Sequence, residues 1–246
     1  MQYIRGTFWS TNDGTLMNAA QRGFLSSWTE VTPELLRKNL SKSIATAKAH
    51  LKMQRKNLRS SLRIQGINLP LHTSLDIAPE QEANNATTGD IYDSIYKAYS
   101  DQTGNFPHLS SRGNQYIFVY YDYDRNSILV EALPNRTAGA LTKAWNTCFT
   151  KVQYHGYASH LHILDNKCSE DMNKAFRKNN VDFQLVPPRV HRRNAAERAI
   201  QTFKSHFIAG LATLPSDFPM KEWDQLLPHA QLTLNHLRAS RRQPTL

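Results

Sequence analysis

The sequence predicts an α/β fold, a five-stranded mixed sheet flanked by helices, from about residue 94 onward. Residues 116–123 form a near-continuous apolar and aromatic run, as expected of a strand covered on both faces. Residues 124–127 (Asp-Arg-Asn-Ser) then have the chemistry of a turn, so the apolar residues 128–133 return as the next strand of a hairpin. Helical and strand patterns alternate further along the chain.

The remaining elements follow from residue spacing and from capping residues. A first strand near residues 95–99 delivers Asp101 at its end, and residues 161–164 form a fourth strand that ends at Asp165. Residues 181–186 form a fifth strand, because the two prolines that follow cannot continue it. Helices are predicted over residues 137–154, 169–179, 194–213 and 220–239.

The charge is divided into blocks, which predicts three regions. Residues 37–63 contain nine Lys or Arg and no acid, whereas residues 64–96 contain five acids and no Lys or Arg. We expect a basic, mostly helical N-terminal region over residues 1–63, a linker over 64–90 and the α/β core over 91–246.

The N-terminal region has one clear helix start. Thr32 is a good N-cap and Pro33 suits the first helical position, and apolar residues continue from Leu35 to Leu58 at spacings that fit a stripe along one helix. The opposite face is basic. It is either a surface that contacts phosphates or a solvated helix face, and the sequence leaves both open.

The overall composition favours a nucleic-acid partner. The 246 residues include 30 Lys and Arg against 20 Asp and Glu, which gives a net charge of +10 and a pI near 9.7. This excess favours a polyanion, nucleic acid first and an anionic membrane second. No apolar run reaches the roughly 18 residues that a membrane span needs, so no span is predicted.

Three carboxylates stand where such a fold could bring them together. Asp101 follows the first strand, Asp165 ends the fourth strand, and Glu197 lies about one turn inside the long helix. Hard divalent cations prefer oxygen ligands, and two such ions can bind both the attacking and the leaving oxygen of a phosphodiester displacement. The order of strand end, strand end and helix therefore suggests a divalent-metal site.

The residues around these acids resemble those of retroelement integrases, most closely the copia-type branch. The blocks similar to that family are Asp101-Gln-Thr-Gly104-Asn-Phe-Pro107, Gly113-Asn114-Gln-Tyr116-Ile-Phe-Val119 with Asp122, and Asn194-Ala-Ala-Glu197-Arg198. The resemblance covers roughly residues 90–246 and is specific when the blocks are taken together.

The resemblance implies a ribonuclease H-like core and the chemistry of DNA integration. Asp101, Asp165 and Glu197 match the family's catalytic acids, which bind two Mg²⁺ or Mn²⁺ ions for 3′-end processing and strand transfer. This reaction is a polynucleotidyl transfer with endonuclease activity. The implied partners are the element's DNA ends, target DNA and further copies of the chain. The implied location is intracellular, in the nucleus of a eukaryotic host, and the chain resembles part of a retrotransposon polyprotein.

Residues around the long helix complete the expected DNA interface. Gln201 and Lys204 fall on the same helix face as Glu197 at about 3.6 residues per turn. The loop before the helix adds candidates for phosphate contacts, namely Arg189, His191, Arg192 and Arg193. An exposed charged loop without a ligand is the alternative for that loop.

Two features depart from the family. Between Asp101 and Asp165 lie 63 residues, which is within what the family shows. Only 31 residues separate Asp165 from Glu197, which is fewer than is common in the family. Lys167 lies in this shortened segment, where the family has glycine and acidic residues. In the N-terminal region His50 and His72 have no pair at metal-ligand spacing, so no structural zinc is predicted.

The sequence also leaves alternatives open. Asp122, at the end of the second strand, competes with Asp101 as the first acid, and Asp124 is a further candidate. His160 and His162 lie close together, but two ligands do not make a metal site. A decayed core that only binds nucleic acid, or a ribonuclease H-like nuclease with other substrates, would share these motifs.

Overall fold

In the computed structural model, five strands form one mixed sheet in the order β3-β2-β1-β4-β5. They are β1 (Lys97–Gln102), β2 (Tyr116–Asp122), β3 (Ser127–Leu133), β4 (Leu161–Asp165) and β5 (Asp182–Val186). Strand β2 is antiparallel to β1 and β3, whereas β4 is parallel to β1 and β5 is parallel to β4. With helices on both faces, this is the ribonuclease H-like α/β architecture that the sequence predicts.

The structure describes residues 2–29, 31–40, 42–51, 96–157, 159–165, 168–186 and 195–241, with only the backbone of Gln2 and Asp165. The expected linker over 64–90 lies outside these residues, as do the predicted region boundaries near residues 63 and 90. None of the helices in the described ranges is long and apolar enough to cross a membrane.

Strand β2 is buried on both faces because a separate layer of helices covers each face of the sheet. Helices α5 (Ala138–Tyr154) and α6 (Glu170–Lys178) pack on one face, where Phe118, Tyr120 and Trp145 belong to one apolar cluster. Helices α7 (Ala195–Leu211) and α8 (Leu227–His236) pack on the other face, where Val119 belongs to a second cluster with Phe203.

Side-chain hydrogen bonds cap the starts of both helices on the α5 and α6 face. The Thr137 side chain accepts a hydrogen bond from the Ala140 amide, and the Ser169 side chain accepts one from Met172. These side chains satisfy backbone donors that the first helical turn leaves unpaired. The predicted ends of both helices agree with the structure to within one residue.

The single helix predicted over residues 220–239 is wrong. A 3₁₀ helix (Met220–Leu226) comes first, and α8 begins anew at Leu227. Pro228 lies in the first turn of α8, where its missing N–H costs nothing, but its ring cannot follow a continuous helix. The 3₁₀ helix is also fixed from outside, since the Trp223 indole donates to the His108 carbonyl at 2.8 Å.

The N-terminal residues form four short helices. These are α1 (Gln2–Thr7), α2 (Asp13–Gln21), α3 (Pro33–Asn39) and α4 (Ile44–His50). The expected continuous stripe from Leu35 is therefore wrong over the described residues. The backbone at Leu40 is extended, and the Ser43 side chain starts α4 by accepting from Thr46, which leaves Ile44 75% exposed.

These helices pack on the α/β core rather than standing apart from it. Ile4, Phe8 and Leu16 form a small cluster that also includes Leu237 at the end of α8. Trp9, also from the N-terminal segment, belongs instead to the cluster between α7 and the sheet.

Trp9 is held by three features of α7 and α8. Its indole N–H donates to His229 Nδ1 at 2.6 Å, and its rings stack on Phe207 at a centroid distance of 5.5 Å. Gly210 provides the space, because a Cβ at that position would lie 1.6 Å from Trp9 Cε3. The absence of a side chain at Gly210 is therefore what lets the N-terminal segment approach α7.

We expect Gly210→Ala to expel the Trp9 indole and lower the free energy of unfolding by about 3 kcal/mol, as overpacking of a core does. Urea unfolding followed by tryptophan fluorescence measures both effects. Gly139→Ala is the matched control, because nothing lies within 4 Å of a Cβ there and the residue is also helical. It should leave stability unchanged or raise it by up to about 1 kcal/mol; equal effects of the two changes would contradict the packing argument.

Candidate active site

The pairing of β1 with β4 determines where two of the three predicted acids lie. Lys97 pairs with Leu161 and Tyr99 with Ile163, so each β1 residue lies beside the β4 residue 64 positions later. Asp101 lies two residues beyond Tyr99, and Asp165 lies two residues beyond Ile163. Asp165 pairs with Val186 of β5 on the other side of β4. Both acids therefore follow the paired residues at the same end of two adjacent strands.

The third acid is on the helix that covers this part of the sheet. Side chains alternate along a strand, so Asp101 shares the face of Tyr99, which packs in the cluster under α7. Ala196 and Ala199 are the buried residues of the first turns of α7, and their small side chains let the helix approach β1 closely. Glu197 lies between them and is exposed.

Asp101 is half-buried and is one of the residues that line a cavity on the α5 and α6 face of the sheet, opposite to the face of Tyr99. Its Oδ1 accepts a hydrogen bond from the Gln102 amide at 2.7 Å. The cavity has a volume of about 420 Å³ and extends from the end of β1 to the start of α6, with Arg136 and Cys168 among its lining residues. Arg136 is fixed there, since it donates to the Thr103 carbonyl at 2.7 Å and lies over the Tyr116 ring. The sequence analysis did not select Arg136, because nothing in its local pattern separates it from a surface cation.

The donor set of the three acids fits a hard divalent cation, because carboxylate oxygens are the ligands that Mg²⁺ and Mn²⁺ prefer. Among the side chains that the structure describes, no three His, Cys, Asp or Glu residues group as metal ligands. The side chain of Asp165 is not among them, so the triad stays a prediction.

The predicted DNA-contacting residues divide into two groups. Gln201 and Lys204 are exposed on α7 in the same row as Glu197, as the helical spacing predicts. Arg189, His191, Arg192 and Arg193 lie outside the described residues, as does Lys167 after β4. Their contacts with DNA remain predictions.

The structure gives Asp122, the alternative first acid, a different place and a structural role. It pairs with Ala98, three residues before Asp101 along β1 and thus about 10 Å away. It is 2% exposed and its carboxylate accepts from Arg125 Nη1 at 2.6 Å. Asp124 is likewise engaged, because it accepts from the amides of Tyr96 and Lys97 where β1 begins.

We expect Asp122→Ala to lower the free energy of unfolding by about 3 kcal/mol, because it leaves Arg125 with its charge largely buried and without its partner. Urea unfolding without added metal measures this. Glu170→Ala removes the partner of Lys174 in a pair whose side chains are 82% and 70% exposed, so it should change little. A fully stable Asp122→Ala protein would contradict the structural assignment.

His162 is a core residue that links two strands and a helix. It is fully buried, and burial lowers the pKa of its imidazole to about 3, so it is neutral. The indole N–H of Trp145 can only donate, and it lies 3.3 Å from His162 Nδ1, so Nδ1 is the acceptor. His162 Nε2 therefore carries the proton and donates to Ser100 Oγ at 2.8 Å. His160 is exposed and packs edge-on against Tyr96. The two histidines do not share a site.

A second buried histidine lies on the other face of the sheet. His206 of α7 is 5% exposed, and burial lowers the pKa of its imidazole to about 4. Its Nε2 is 3.1 Å from Thr233 Oγ1 of α8, and its ring stacks against Trp9. Both His162 and His206 therefore remain neutral in the folded chain at pH values where an unfolded chain would protonate them.

This difference makes stability depend on pH. Because both folded-state pKa values lie below the ordinary 6.5, the unfolded chain binds more protons below that pH, and stability falls as the pH falls. Between pH 6.5 and 5 we expect a loss of about 1.4 kcal/mol per pH unit for each histidine. Urea unfolding across this window measures the slope, and His206→Gln should reduce it by about half. Constant stability over the window would show that these imidazoles are accessible to protons.

Comparison with known proteins gives two structural matches at low identity. No protein-family model and no curated protein matches the sequence. A chain of the simian T-cell lymphotropic virus intasome, solved with PP2A regulatory subunit B56 gamma, is 17% identical with a TM-score of 0.44, and the match covers 61% of this chain and 52% of that one. The catalytic core domain of BIV integrase is 15% identical with a TM-score of 0.42, and the match covers 59% and 86%. The chain thus spans about half of the intasome chain that it resembles. The architecture assigned above is based on strand order and direction.

Proposed function

We propose that the chain is the catalytic core of a copia-type retrotransposon integrase, which carries out metal-dependent polynucleotidyl transfer on DNA. Asp101, Asp165 and Glu197 are the proposed catalytic acids and the ligands of two Mg²⁺ or Mn²⁺ ions. The reactions are the trimming of DNA 3′ ends and their joining to target DNA, with the endonuclease activity that the first step requires.

One observation supports this proposal above the others. Asp101 and Asp165 each lie two residues beyond the paired Tyr99 and Ile163, and the helix packed over the Asp101 face carries Glu197 in its first turn. The sequence blocks that resemble the family contain these same three acids. We would not expect a chance set of surface acids to combine that order in sequence with matching positions on two adjacent strands.

The electrostatics of the three acids explain why a cation belongs there. Carboxylates held close together repel each other, which favours protonation unless a positive charge compensates them. Bound divalent ions would activate a water or a 3′-hydroxyl and stabilise the charged transition state. The chain's own contribution is to hold the ligands on two adjacent strands and a helix, which are more rigid supports than loops.

Glu197, Gln201 and Lys204 are exposed along one row of α7, where DNA bound at the acids would contact them. Lys204 provides a cation and Gln201 an amide within two turns of Glu197, and the predicted basic loop of residues 189–193 precedes the helix. The net charge of +10 favours the same polyanionic partner. We further propose that the chain acts as a homo-oligomer on DNA, in the nucleus of a eukaryotic host.

A second candidate is a core that still binds nucleic acid but no longer catalyses transfer. The shortened segment between Asp165 and Glu197 favours it, together with Lys167, because a lysine near the second acid can neutralise a metal ligand. Such a protein would keep the fold and the basic surface. It would differ from the first candidate only in catalysis.

We expect Asp101→Asn and Glu197→Gln each to lower DNA end joining by more than about a hundredfold while leaving DNA affinity intact, because each removes a metal ligand and not a phosphate contact. A joining assay with Mg²⁺ or Mn²⁺ measures the first quantity, and fluorescence anisotropy of labelled DNA in EDTA measures the second. Asp182→Asn is the control, since this exposed acid pairs with Leu161 at the opposite end of β4.

The outcomes separate the candidates. Full joining activity of Glu197→Gln would refute the proposed triad. DNA binding by the wild-type chain without joining or nicking would favour the binding protein. Cleavage of an RNA–DNA hybrid in place of DNA joining would identify a nuclease of the same fold.

A further inference from the structure

A second cavity lies on the α7 face of the sheet, beside the candidate active site. Its volume is about 430 Å³, within the rough 300–1,000 Å³ range of small-ligand sites. Its walls combine three tyrosines from β1 and the β2 end with three arginines from α7 and the segment after α8, namely Tyr99, Tyr121, Tyr123, Arg198, Arg238 and Arg241. No function assigned above uses this cavity.

Two of the arginines are held in place by the protein. Arg238 Nε donates to the Asn126 carbonyl at 2.7 Å. Arg241 Nη2 donates to the Tyr121 hydroxyl at 2.9 Å, and its guanidinium lies 3.9 Å from the centre of the Tyr123 ring. Fixed guanidinium groups lose less conformational entropy when they bind a ligand than mobile ones do.

The third arginine, Arg198, is exposed, and within the described part of the chain its side chain makes no hydrogen bond or ion pair. It extends from the first turn of α7, which also contributes Ala195 to the cavity wall. The positive end of a helix dipole therefore adds to the guanidinium charges.

Negative protein charge does not balance these cations. Neither Asp nor Glu is among the described residues that line the cavity. Burial and the neighbouring tyrosines raise the pKa of Tyr99, and the nearby Asp124 contributes to the same shift. The Asp124 carboxylate, however, already accepts hydrogen bonds from the amides of Tyr96 and Lys97. Burial lowers the pKa of Arg238, as expected where cations gather without a counter-ion. An anion from outside the chain would supply the missing charge.

We propose that this cavity binds a phosphate group of a polynucleotide strand, with Arg198, Arg238 and Arg241 as the phosphate-binding residues. Planar guanidinium groups match phosphate oxygens in charge and geometry. Tyr99 lies two residues before Asp101 on the same strand face, a separation of about 6.6 Å along the strand. That distance is of the same order as the spacing between nearby phosphates of a nucleic-acid strand. A strand whose reacting phosphate lay at Asp101 would therefore place a nearby phosphate in the cavity.

Phosphate chemistry follows from the cavity itself, whereas the polynucleotide as its source rests on the proposed function. The test uses Arg198→Gln in the full chain, because this side chain has no described structural partner. Arg177→Gln is the charge-matched control: Arg177 is exposed on α6, which packs on the opposite face of the sheet. Thermal unfolding checks that both variants fold like the wild type.

We expect Arg198→Gln to weaken binding of a labelled DNA duplex in EDTA on the order of tenfold, the usual effect of losing one charged hydrogen-bonding contact. The slope of log affinity against log salt should fall by about 0.9, the value for one lost phosphate contact. Arg177→Gln should change neither quantity. Equal behaviour of the two variants in both measurements would overturn the proposal.

Titration calorimetry with inorganic phosphate distinguishes the sources. If the wild type binds phosphate and Arg198→Gln does not, while DNA affinity is the same for both, the cavity is a site for a free phosphate and the polynucleotide proposal is wrong. Because these measurements contain no divalent metal, they do not depend on whether the acids catalyse joining.

Discussion

The placement of the candidate catalytic acids depends on one buried hydrogen-bonded group, the imidazole of His162. It connects Ser100 of β1 with Trp145 of α5 while lying on β4, so a relative shift of β1 and β4 would break both bonds inside the core. Buried polar groups that lose their partners cost far more than exposed ones. A shift of one residue would also turn each apolar side chain of a strand to the wrong face. The register of β1 with β4, which puts Asp101 and Asp165 each two residues beyond the paired Tyr99 and Ile163, is therefore well determined.

Helix α7 extends this constraint to the third acid. Its apolar stripe is fixed on the sheet by Phe203 and Phe207, and its C-terminal part is fixed by the Trp9 indole over Gly210. An acid in the first turn of such a helix has a defined position without any bond of its own. The N-terminal segment thus stabilises the helix that carries Glu197, although it lies far from the acids in sequence.

The sequence predicts the sheet and the helices α5, α6 and α7 well because local signals and burial agree there. Ser169 caps α6 as its position before the helical pattern predicts, and the apolar run of β2 is buried on both faces. Prediction from the sequence fails where tertiary contacts determine the local structure. Leu35 and Leu40 have the spacing of a continuous helix, but the chain bends before Ser43 so that α4 can pack against α7. The split before α8 follows from Pro228, a local signal in the sequence that a helix begins just before it.

The arginine cavity shows why the rest could not be predicted from sequence. Arg198, Arg238 and Arg241 belong to different segments, and only the packing of α7 and α8 against one sheet face places them around the same tyrosines. The cations that the sequence analysis did select are clustered along the chain, in residues 189–193, because nearby charges are the ones that a sequence pattern reveals. Cations from distant segments, in contrast, lie close together only because the fold places them there. The fold brings like charges together at an energetic cost, which a bound anion offsets. This cost is the reason to propose the cavity as a binding site.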